Sequence, residues 1–417
     1  MAYVHVAGNK RLNGEVDIQG SKNAALPILA ATVLIDGVTR LDKCPKISDV
    51  IHMTNILQAI GCKIHWEGSS LIVDSSTIGT STVPAEHVKK MRSSIIMMGA
   101  LLGRTKEVTI TYPGGCLIGA RPIDYHLDAF KEMNISLKEV DGLIVCYTSK
   151  IQGADISFKF PSVGATENAI LAAVLASGDT IIKNAAKEPE IIDLCLFLNK
   201  AGAKISGYGT REIKVSGVDK LHEISYIISP DRIVTGTYLA AVAATGGYVI
   251  LRNTNCNVLG KVINLYRRIG CNIICEKTNI LAYATGNPKS IDFVKTEPYP
   301  GFPTDMQSQT MAVLMKAIGT SKISEEIFEG RFKIVDELKK FGANIEVKDS
   351  VATICGVSQL KGNEVYATEL RGGAALVIAG LMADGVTKVY NPEHIERGYE
   401  DICRDFRQLG AEINYME

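Results

Sequence analysis

The 417-residue sequence lacks an excess of charge of either sign. Lysine and arginine together number 45, and aspartate and glutamate also number 45, so the formal net charge is zero. Proteins that bind nucleic acids usually carry a basic excess, and the sequence therefore predicts no nucleic-acid partner. A balanced total still allows a locally charged binding site.

Long apolar segments are absent as well. The longest nearly uncharged apolar run covers residues 24–35, which is shorter than the roughly 18–20 residues of a membrane-spanning helix. The chain opens without the basic segment and apolar core that are typical of a secretion signal. We therefore expect a cytoplasmic protein without a membrane partner.

The cysteines show no metal-binding pattern. None of the ten lies in a CxxC pair, and they are scattered over the chain, unlike those of a zinc site or a small disulfide scaffold. We expect most of them to be buried apolar residues in a reducing compartment. The signatures GxGxxG, GxxxxGK[ST] and HExxH are also missing, so nothing indicates a nicotinamide, a P-loop nucleotide or zinc.

What the sequence does contain is an internal repeat. A helical segment of the type LQAIGCKI, which runs into a strand-like segment, recurs six times. Its glycine position recurs every 68 to 73 residues, at Gly61, Asn134, Gly202, Gly270, Gly342 and Gly410. Asparagine also tolerates the left-handed conformation that ends many helices. Six copies of about 70 residues therefore fill the chain.

Each copy also contains an earlier, more apolar helix that is expected to end at a glycine. These glycines are Gly37, Gly103, Gly178, Gly246, Gly319 and Gly385. A helix that is apolar on nearly all sides is expected inside, and the second helix, with its polar face, outside.

We predict an α/β fold of six βαβαββ-type units in two domains, because three units amount to one large domain. The first domain is expected over residues 22–229. The second is expected over residues 230–417 together with 1–21, where one amino-terminal strand over residues 4–20 would complete it.

Seven cations lie at an unusual place, at the starts of helices or in the loops that lead into them. They are Lys22, Arg92, Arg121, Arg232, Arg331, Arg371 and Arg397. A cation there opposes the helix dipole, whereas free N–H groups and a cation together bind anions. Each arginine could instead be solvated or paired with an acid such as Glu329 or Glu369. The recurrence of the placement favours bound phosphate or carboxylate groups.

A glycine-rich segment over residues 113–121 contains Cys116. Its glycines leave the thiol uncrowded, and Arg121 lies near enough to favour the thiolate. Such a loop can act as a lid over a site; the alternative is a turn with an incidental cysteine. By contrast, Cys62 and Cys271 occupy a repeat position that other copies fill with alanine, and we predict that both fill the core.

Asp305 lies at the start of the fifth buried helix. An aspartate at that place is normally a helix N-cap. Facing a cluster of cations, it would instead stay ionised and could act as a general base.

Nine segments, in order along the whole chain, carry a family resemblance. They read GSKNAALPIL (20–29), MRSSI (91–95), PGGCLIGARPIDYH (113–126), PSVGATEN (161–168), PDRIVTGT (230–237), FPTDMQ (302–307), FEGRF (328–332), ATELRGGAALV (367–377) and HIERGYE (394–400). Together they resemble the UDP-N-acetylglucosamine 1-carboxyvinyltransferases, which are enolpyruvyl transferases. The resemblance implies an inside-out α/β barrel of six units in two domains.

The resemblance also implies a reaction, the first committed step of peptidoglycan synthesis. The 3-hydroxyl of UDP-N-acetylglucosamine attacks C2 of phosphoenolpyruvate, C3 gains a proton, and phosphate leaves the tetrahedral intermediate. The implied partners are these two small molecules, with no cofactor and no metal. A monomer is compatible with the sequence, which does not define the oligomeric state.

The same resemblance assigns the catalytic residues. Cys116 would donate the proton to C3 and could form a covalent adduct with phosphoenolpyruvate, while Asp305 would be the base at the sugar hydroxyl. Lys22 and Arg397 complete the predicted catalytic set.

The predicted substrate contacts lie in the same motifs. Those for phosphoenolpyruvate are Lys22, Asn23, Arg121, Arg331, Arg371 and Arg397. Those for the sugar nucleotide are Arg92, Arg121, Pro122, Ile123, Asp124, Tyr125, Ser162, Val163, Gly164, Asp305 and Ile327. Thr304 is a further predicted substrate contact. Because these contacts come from both halves of the sequence, we expect a cleft between the domains that closes on substrate. Phe160, Tyr125 and Glu369 depart from the family's usual lysine, leucine and aspartate.

Two alternatives remain. The sister enzyme 3-phosphoshikimate 1-carboxyvinyltransferase shares the fold and the donor, but the PGGC and RPID segments argue against it. A catalytically silent sugar-nucleotide sensor could be built on the same repeats, and the intact Cys116, Asp305 and Lys22 argue against that.

Overall fold

The structure is a computed structural model that describes residues 1–114, 118–119 and 122–417. Its α-helices are α1 (Lys22–Ala31), α2 (Ser48–Ala59), α3 (Ala85–Val88), α4 (Met97–Thr105), α5 (Asp124–Glu132), α6 (Val163–Ala173), α7 (Pro189–Lys200), α8 (Arg232–Thr245), α9 (Gly260–Arg268), α10 (Gln307–Leu314), α11 (Val335–Lys339), α12 (Leu370–Met382), α13 (Glu393–Glu396) and α14 (Ile402–Gln408). Short 3₁₀ turns at Arg92–Ile96, Thr304–Met306 and Arg331–Ile334 lead into α4, α10 and α11. Within these described ranges, no helix is long and apolar enough to cross a membrane.

The strands are short and mostly antiparallel. They are β1 (Tyr3–Ala7), β2 (Leu12–Asp17), β3 (Val38–Asp42), β4 (Lys63–Glu67), β5 (Ser70–Asp74), β6 (Glu107–Thr111), β7 (Ser136–Val140), β8 (Leu143–Tyr147), β9 (Asp155–Ser157), β10 (Asp179–Lys183), β11 (Lys204–Ser206), β12 (Glu212–Ser216), β13 (Ile224–Ile227), β14 (Gly247–Arg252), β15 (Asn272–Cys275), β16 (Asn279–Ala284), β17 (Val294–Lys295), β18 (Thr320–Ser324), β19 (Asn344–Lys348), β20 (Val351–Cys355), β21 (Glu364–Tyr366), β22 (Val386–Tyr390) and β23 (Glu412–Met416).

The described chain divides into two compact units. Unit 1 contains residues 1–19, 118–119 and 230–417, and unit 2 contains residues 20–114 and 122–229. Each unit has its own cluster of buried apolar side chains, so each has a core in the sense expected of a domain.

Unit 2 contains three sheets, in the strand orders β13-β3-β5-β4, β6-β8-β7 and β11-β12-β10-β9. Helices α1, α4 and α6 are buried over almost their whole length, whereas α2, α5 and α7 alternate buried and exposed residues. The strands bury one face and expose the other. The apolar helices therefore lie inside and the sheets outside, as their composition predicts.

Unit 1 repeats this arrangement with the sheets β15-β16-β14-β2, β17-β18-β20-β19 and β21-β22-β1-β23. The amino terminus forms two strands here, so the prediction of one strand over residues 4–20 is wrong. Strand β1 pairs antiparallel with β22 and β23, and β2 pairs parallel with β14. A bend at Asn9 separates the two strands. Asn9 has a left-handed φ of 59°, a conformation that asparagine tolerates.

The repeat glycines do end the outer helices. All six positions have positive φ, from 61° at Asn134 to 108° at Gly61, which confirms their role as helix terminators. Among the inner helices, only α8 ends directly at its predicted glycine, Gly246, whereas α1, α6, α10 and α12 end three to six residues before theirs. Helix α4 instead continues through Gly103 to Thr105, and Lys106 takes the left-handed conformation. Gly103 serves close packing instead: a Cβ there would lie 2.6 Å from the side chain of Leu34.

The described cysteines comprise buried residues, the partly exposed Cys355 and one disulfide pair. Cys62 and Cys271 are buried as predicted, together with Cys44, Cys146, Cys195 and Cys403. Cys256 and Cys275 depart from that expectation and form a disulfide with Cα atoms 6.1 Å apart. Strands β14 and β15 both pair with β16, and this pairing brings the two cysteines to the same end of the sheet.

Candidate active site

In unit 2 the first predicted cation is held by a buried acid. Lys22 is the first residue of α1, after the N-cap Ser21, and its Nζ lies 2.7 Å from Oδ2 of Asp49. The Lys22 side chain is 11% exposed and that of Asp49 only 1%. Such burial is costly for a charged pair unless both partners are satisfied, so this lysine is not a solvated surface residue. Asn23 follows it in the first turn of α1.

Arg92 begins the 3₁₀ turn that precedes α4. Its Nη1 lies 3.5 Å from the carbonyl oxygen of Pro113, the residue that opens the glycine-rich segment. Cys116 and Arg121 lie outside the described residues. Arg92 is therefore placed beside the start of the segment that contains both.

The remaining predicted sugar-nucleotide contacts of unit 2 lie at the starts of two helices. Asp124 and Tyr125 begin α5 after Pro122 and Ile123. Ser162 caps α6, its Oγ accepting from the N–H of Ala165 at 3.4 Å, and Val163 and Gly164 form the first turn. Phe160, which precedes this cap by two residues, has an exposed side chain.

A buried polar pair links these helix starts. Nδ2 of Asn168 on α6 lies 2.7 Å from Nδ1 of His126 on α5, and its Oδ1 accepts from the N–H of Gly99 on α4 at 2.7 Å. A Cβ at Gly164 would lie 3.1 Å from the ring of His126. The amide side chain of Asn168 thus links α6 to both α5 and α4, near the helix starts that carry the predicted contacts.

In unit 1 the predicted base and two predicted cations meet. Asp305, in the 3₁₀ turn before α10, forms ion pairs through one carboxylate oxygen with Nη2 of Arg331 and through the other with Nη2 of Arg371, the latter at 3.1 Å. Glu369 lies 3.4 Å from Nη1 of Arg331 and also caps α12. The paired alternative thus holds for Arg331, with Glu369 as one of the acids expected and Asp305 as a further partner. No side-chain N-cap is formed at this 3₁₀ turn.

Both arginines are almost fully buried, with side chains 2% and 3% exposed. Nε of Arg331 and Nη1 of Arg371 have no hydrogen-bond partner within the described part of the chain. Burial lowers the pKa of Arg371, but the nearby carboxylates of Asp305 and Asp231 raise that pKa by more, so that it lies above the ordinary value. Two charged guanidinium groups therefore retain unused donors, as a site for an anion requires.

Thr304 and Ile327, the other predicted contacts in unit 1, flank this cluster. The hydroxyl of Thr304 donates to Oε2 of Glu325 at 2.8 Å, and the N–H of Ile327 donates to Oε1 of the same side chain, also at 2.8 Å. Glu325 is itself buried.

Two predicted cations have other surroundings. Arg397 is the residue that ends the one-turn helix α13, five positions before α14 begins. Arg232 begins α8 and lies over the ring of Tyr299, 5.9 Å from its centroid. It borders a cavity whose volume is about 240 Å³, which is also lined by residues 257–262 and 299–301.

Sequence reasoning found the cations but not all of the acids and amides that hold them. It missed Asp49, Glu325 and the pair of His126 and Asn168. Only burial distinguishes these from surface residues. His126 and Asn168 lie inside recognised motifs and Glu325 lies three residues before one, whereas Asp49 lies 20 residues after the motif that precedes it, so the sequence carries no such signal for it. Among the described residues, no group of three or more histidine, cysteine or acidic side chains could hold a metal ion.

Comparisons with known proteins agree on one family. Residues 6–406 match the family model described as EPSP synthase (3-phosphoshikimate 1-carboxyvinyltransferase). A protein named UDP-N-acetylglucosamine 1-carboxyvinyltransferase 2 from Caldanaerobacter subterraneus is 47% identical over 99% of both chains. A UDP-N-acetylglucosamine 1-carboxyvinyltransferase from Thermotoga maritima is 44% identical over 100% of this chain and 99% of its own.

The fold comparison agrees with the predicted fold class. The crystal structure of the enolpyruvyl transferase NikO from Streptomyces tendae superposes with a TM-score of 0.89 over 100% of this chain and 99% of that chain, at 23% identity. At that identity the likeness concerns the fold alone, and it confirms the predicted enolpyruvyl transferase fold.

Proposed function

The chain belongs to the UDP-N-acetylglucosamine 1-carboxyvinyltransferase family, and we propose that it transfers the enolpyruvyl group of phosphoenolpyruvate to the 3-hydroxyl of UDP-N-acetylglucosamine with release of phosphate. The reaction is the first committed step of peptidoglycan synthesis. We expect it to take place in the cytoplasm.

The observation that carries this proposal is the cluster of Asp305, Arg331 and Arg371. Phosphoenolpyruvate brings a carboxylate and a phosphate, and charged hydrogen bonds from guanidinium groups bind such groups strongly. The unused donors of the two buried arginines supply such bonds, while Lys22 supplies a further cation in unit 2. Asp305, which both arginines hold, would supply a carboxylate beside the bound anion that can accept the proton of a hydroxyl.

In the addition step, the 3-hydroxyl oxygen bonds to C2 as the double bond of phosphoenolpyruvate delivers its electron pair to a proton at C3. Asp305 would accept the proton of the hydroxyl, and the thiol of Cys116, which lies outside the described residues, would supply the proton to C3. The carbon C2 is positively charged in the transition state, so that a fixed carboxylate also stabilises it electrostatically.

In the elimination step, the bond between C2 and the phosphate oxygen breaks, and one proton of C3 would return to the Cys116 thiolate formed in the addition step. The proton held by Asp305 would pass to the departing phosphate or to solvent. Arg331 and Arg371 would balance the charge of the departing phosphate. In the absence of acceptor, attack of the Cys116 sulfur at C2 would give the covalent adduct. None of these steps calls for a cofactor of this chain.

Phosphate release tests the proposal directly. The purified protein is mixed with phosphoenolpyruvate and either UDP-N-acetylglucosamine or shikimate 3-phosphate, and phosphate is followed with time. Release of phosphate with UDP-N-acetylglucosamine as the acceptor, and not with shikimate 3-phosphate, supports the proposal. Release only with shikimate 3-phosphate would indicate the sister enzyme, and binding of the sugar nucleotide without release would indicate a sensor.

A further inference from the structure

Glu325 lies at the carboxyl end of strand β18, directly before the segment that contains Ile327 and Arg331. Glu325 is only 2% exposed, and acidic side chains are rarely buried to this extent. We propose that Glu325 is a positioning residue, which sets the place of the base Asp305 relative to the sugar-nucleotide contact Ile327. This inference rests on the proposed function.

The carboxylate of Glu325 joins two segments through its two oxygens. Oε1 accepts from the N–H groups of Ile327 at 2.8 Å and Phe328 at 3.1 Å. Oε2 accepts from the hydroxyl of Thr304 at 2.8 Å. Three donors thus satisfy a buried carboxylate, and such hydrogen bonds to an ionised acceptor are short and strong.

Both segments carry predicted reaction groups. Asp305 directly follows Thr304, and Arg331 follows Phe328 by three residues. The ion pair of Asp305 and Arg331 therefore spans the same two segments that Glu325 joins. The ion pair alone would hold the carboxylate against the guanidinium, whereas the bonds of Glu325 also fix the backbone on both sides. A general base has to be held within hydrogen-bond reach of its proton.

The segment after Glu325 also contacts the glycine-rich loop. The N–H of Gly330 donates to the carbonyl of Ile118 at 2.7 Å. A Cβ at Gly119 would lie 2.6 Å from a carboxylate oxygen of Glu329, so the end of this side chain packs directly against the loop. Ile118 lies two positions after Cys116. The segment held by Glu325 thus borders the loop with the predicted proton donor as well as Asp305.

Buried, hydrogen-bonded acids can also serve stability alone, and the two roles predict different kinetics. If Glu325 only stabilises the fold, its variants lose activity in proportion to the fraction of unfolded protein. If it positions Asp305, the turnover per folded molecule falls, because displacement of a reacting group by about 1 Å costs about 100-fold. The KM for phosphoenolpyruvate should then change little.

Four variants separate these roles. Glu325→Ala removes all three bonds, and Thr304→Val removes only the bond of Oε2. Glu325→Gln is the conservative variant, since its amide oxygen still accepts from the two N–H groups and its amide N–H can donate to the Thr304 hydroxyl. Glu326→Ala is the matched control, because the neighbouring acid is half exposed and pairs with Lys295 at the surface.

We expect kcat per folded molecule, measured by phosphate release with UDP-N-acetylglucosamine, to fall about 100-fold in Glu325→Ala. It should fall by less in Thr304→Val, recover to within about threefold of wild type in Glu325→Gln, and stay unchanged in Glu326→Ala. Unchanged kcat per folded molecule in Glu325→Ala would overturn the inference, as would a Glu325→Gln variant as impaired as the alanine variant. If Glu325→Ala does not fold, the other two variants decide. A kcat per folded molecule that is lower in Thr304→Val than in Glu325→Gln supports the inference, and equal values overturn it. Wild-type turnover reports on the proposed function separately, because the inference concerns only ratios to wild type.

Discussion

Arg371 donates to Oδ2 of Asp305 through Nη2 at 3.1 Å, while its Nη1 is buried without a hydrogen-bond partner in the described part of the chain. The same guanidinium therefore holds the predicted base on one side and offers a free donor on the other. Arg331 has the same relationship to Asp305, with its Nε unused. Both arginines are thus placed to bind an anion next to a carboxylate.

Replacement of Asp305 by asparagine should abolish turnover and lower stability together. Loss of a general base costs about 100-fold or more in rate, and removal of one partner of buried ion pairs costs on the order of 3 kcal/mol. Phosphate release and urea unfolding measure the two effects. Asp336→Asn, at an exposed position in α11, is the control and should change neither by much. An Asp305→Asn variant with more than about a tenth of wild-type turnover would contradict the assignment.

Lys22 and Asp49 allow stability and catalysis to be separated. Lys22→Ala leaves the buried Asp49 carboxylate without this ion pair and should cost about 3–5 kcal/mol of unfolding free energy. Adding Asp49→Asn removes the charge and should restore most of that stability. Turnover should stay low in the double variant, because the cation is still missing. Wild-type turnover in the double variant would show that Lys22 serves only the fold.

The Cys256–Cys275 disulfide closes a loop with a sequence separation of 19. Loop-closure entropy predicts a stabilisation of about 3 kcal/mol, so a thiol reductant should lower the unfolding free energy of the oxidised protein by that order. Cys256→Ser should be as unstable as the reduced protein and insensitive to reductant. Alkylation followed by intact-mass measurement reports the thiols that are free. Equal stability with and without reductant would contradict a stabilising disulfide.

Cys116 and Cys271 should respond oppositely to substitution. Cys116→Ser should strongly impair turnover, since the serine hydroxyl is a far weaker acid than a thiol. Cys271→Ala should leave turnover near wild type, because Cys271 is a buried packing residue. Equal activity of the two variants in phosphate release would refute the role assigned to Cys116.

Cys271 also predicts a pH dependence of stability. Burial raises the pKa of its thiol to about 12, whereas an unfolded cysteine has a pKa of about 8.5. The contribution of this thiol to stability is therefore present below about pH 8.5 and is lost as the pH rises towards 12. The slope is at most about 1.4 kcal/mol per pH unit for one group. Urea unfolding of Cys271→Ala should show a correspondingly shallower alkaline slope than wild type, and an identical slope would contradict the buried thiol.

The repeat could be recognised from sequence because a left-handed helix end needs glycine or asparagine, and Gly61, Asn134 and their equivalents repeat that requirement. The end of a helix without such a requirement was harder to predict. Gly103, for example, does not end its helix, and glycine is needed there for close packing against Leu34. Register across a sheet is invisible in one sequence, so the pairing of Cys256 with Cys275 was not foreseen. Lys22, Arg331 and Arg371 were recognisable by their place at helix starts. Their buried partners Asp49 and Glu325 were not, since burial of an acid depends on the tertiary structure.

The most direct test of the central claim follows the bridging oxygen of phosphoenolpyruvate, which joins C2 to phosphorus. Phosphoenolpyruvate labelled with ¹⁸O at that position is incubated with the protein and UDP-N-acetylglucosamine, and product and phosphate are analysed by mass spectrometry. Addition and elimination at C2 predict an enolpyruvyl ether of the sugar nucleotide without label, and phosphate that retains the ¹⁸O. Unlabelled phosphate, or no enolpyruvyl sugar nucleotide, would contradict the account.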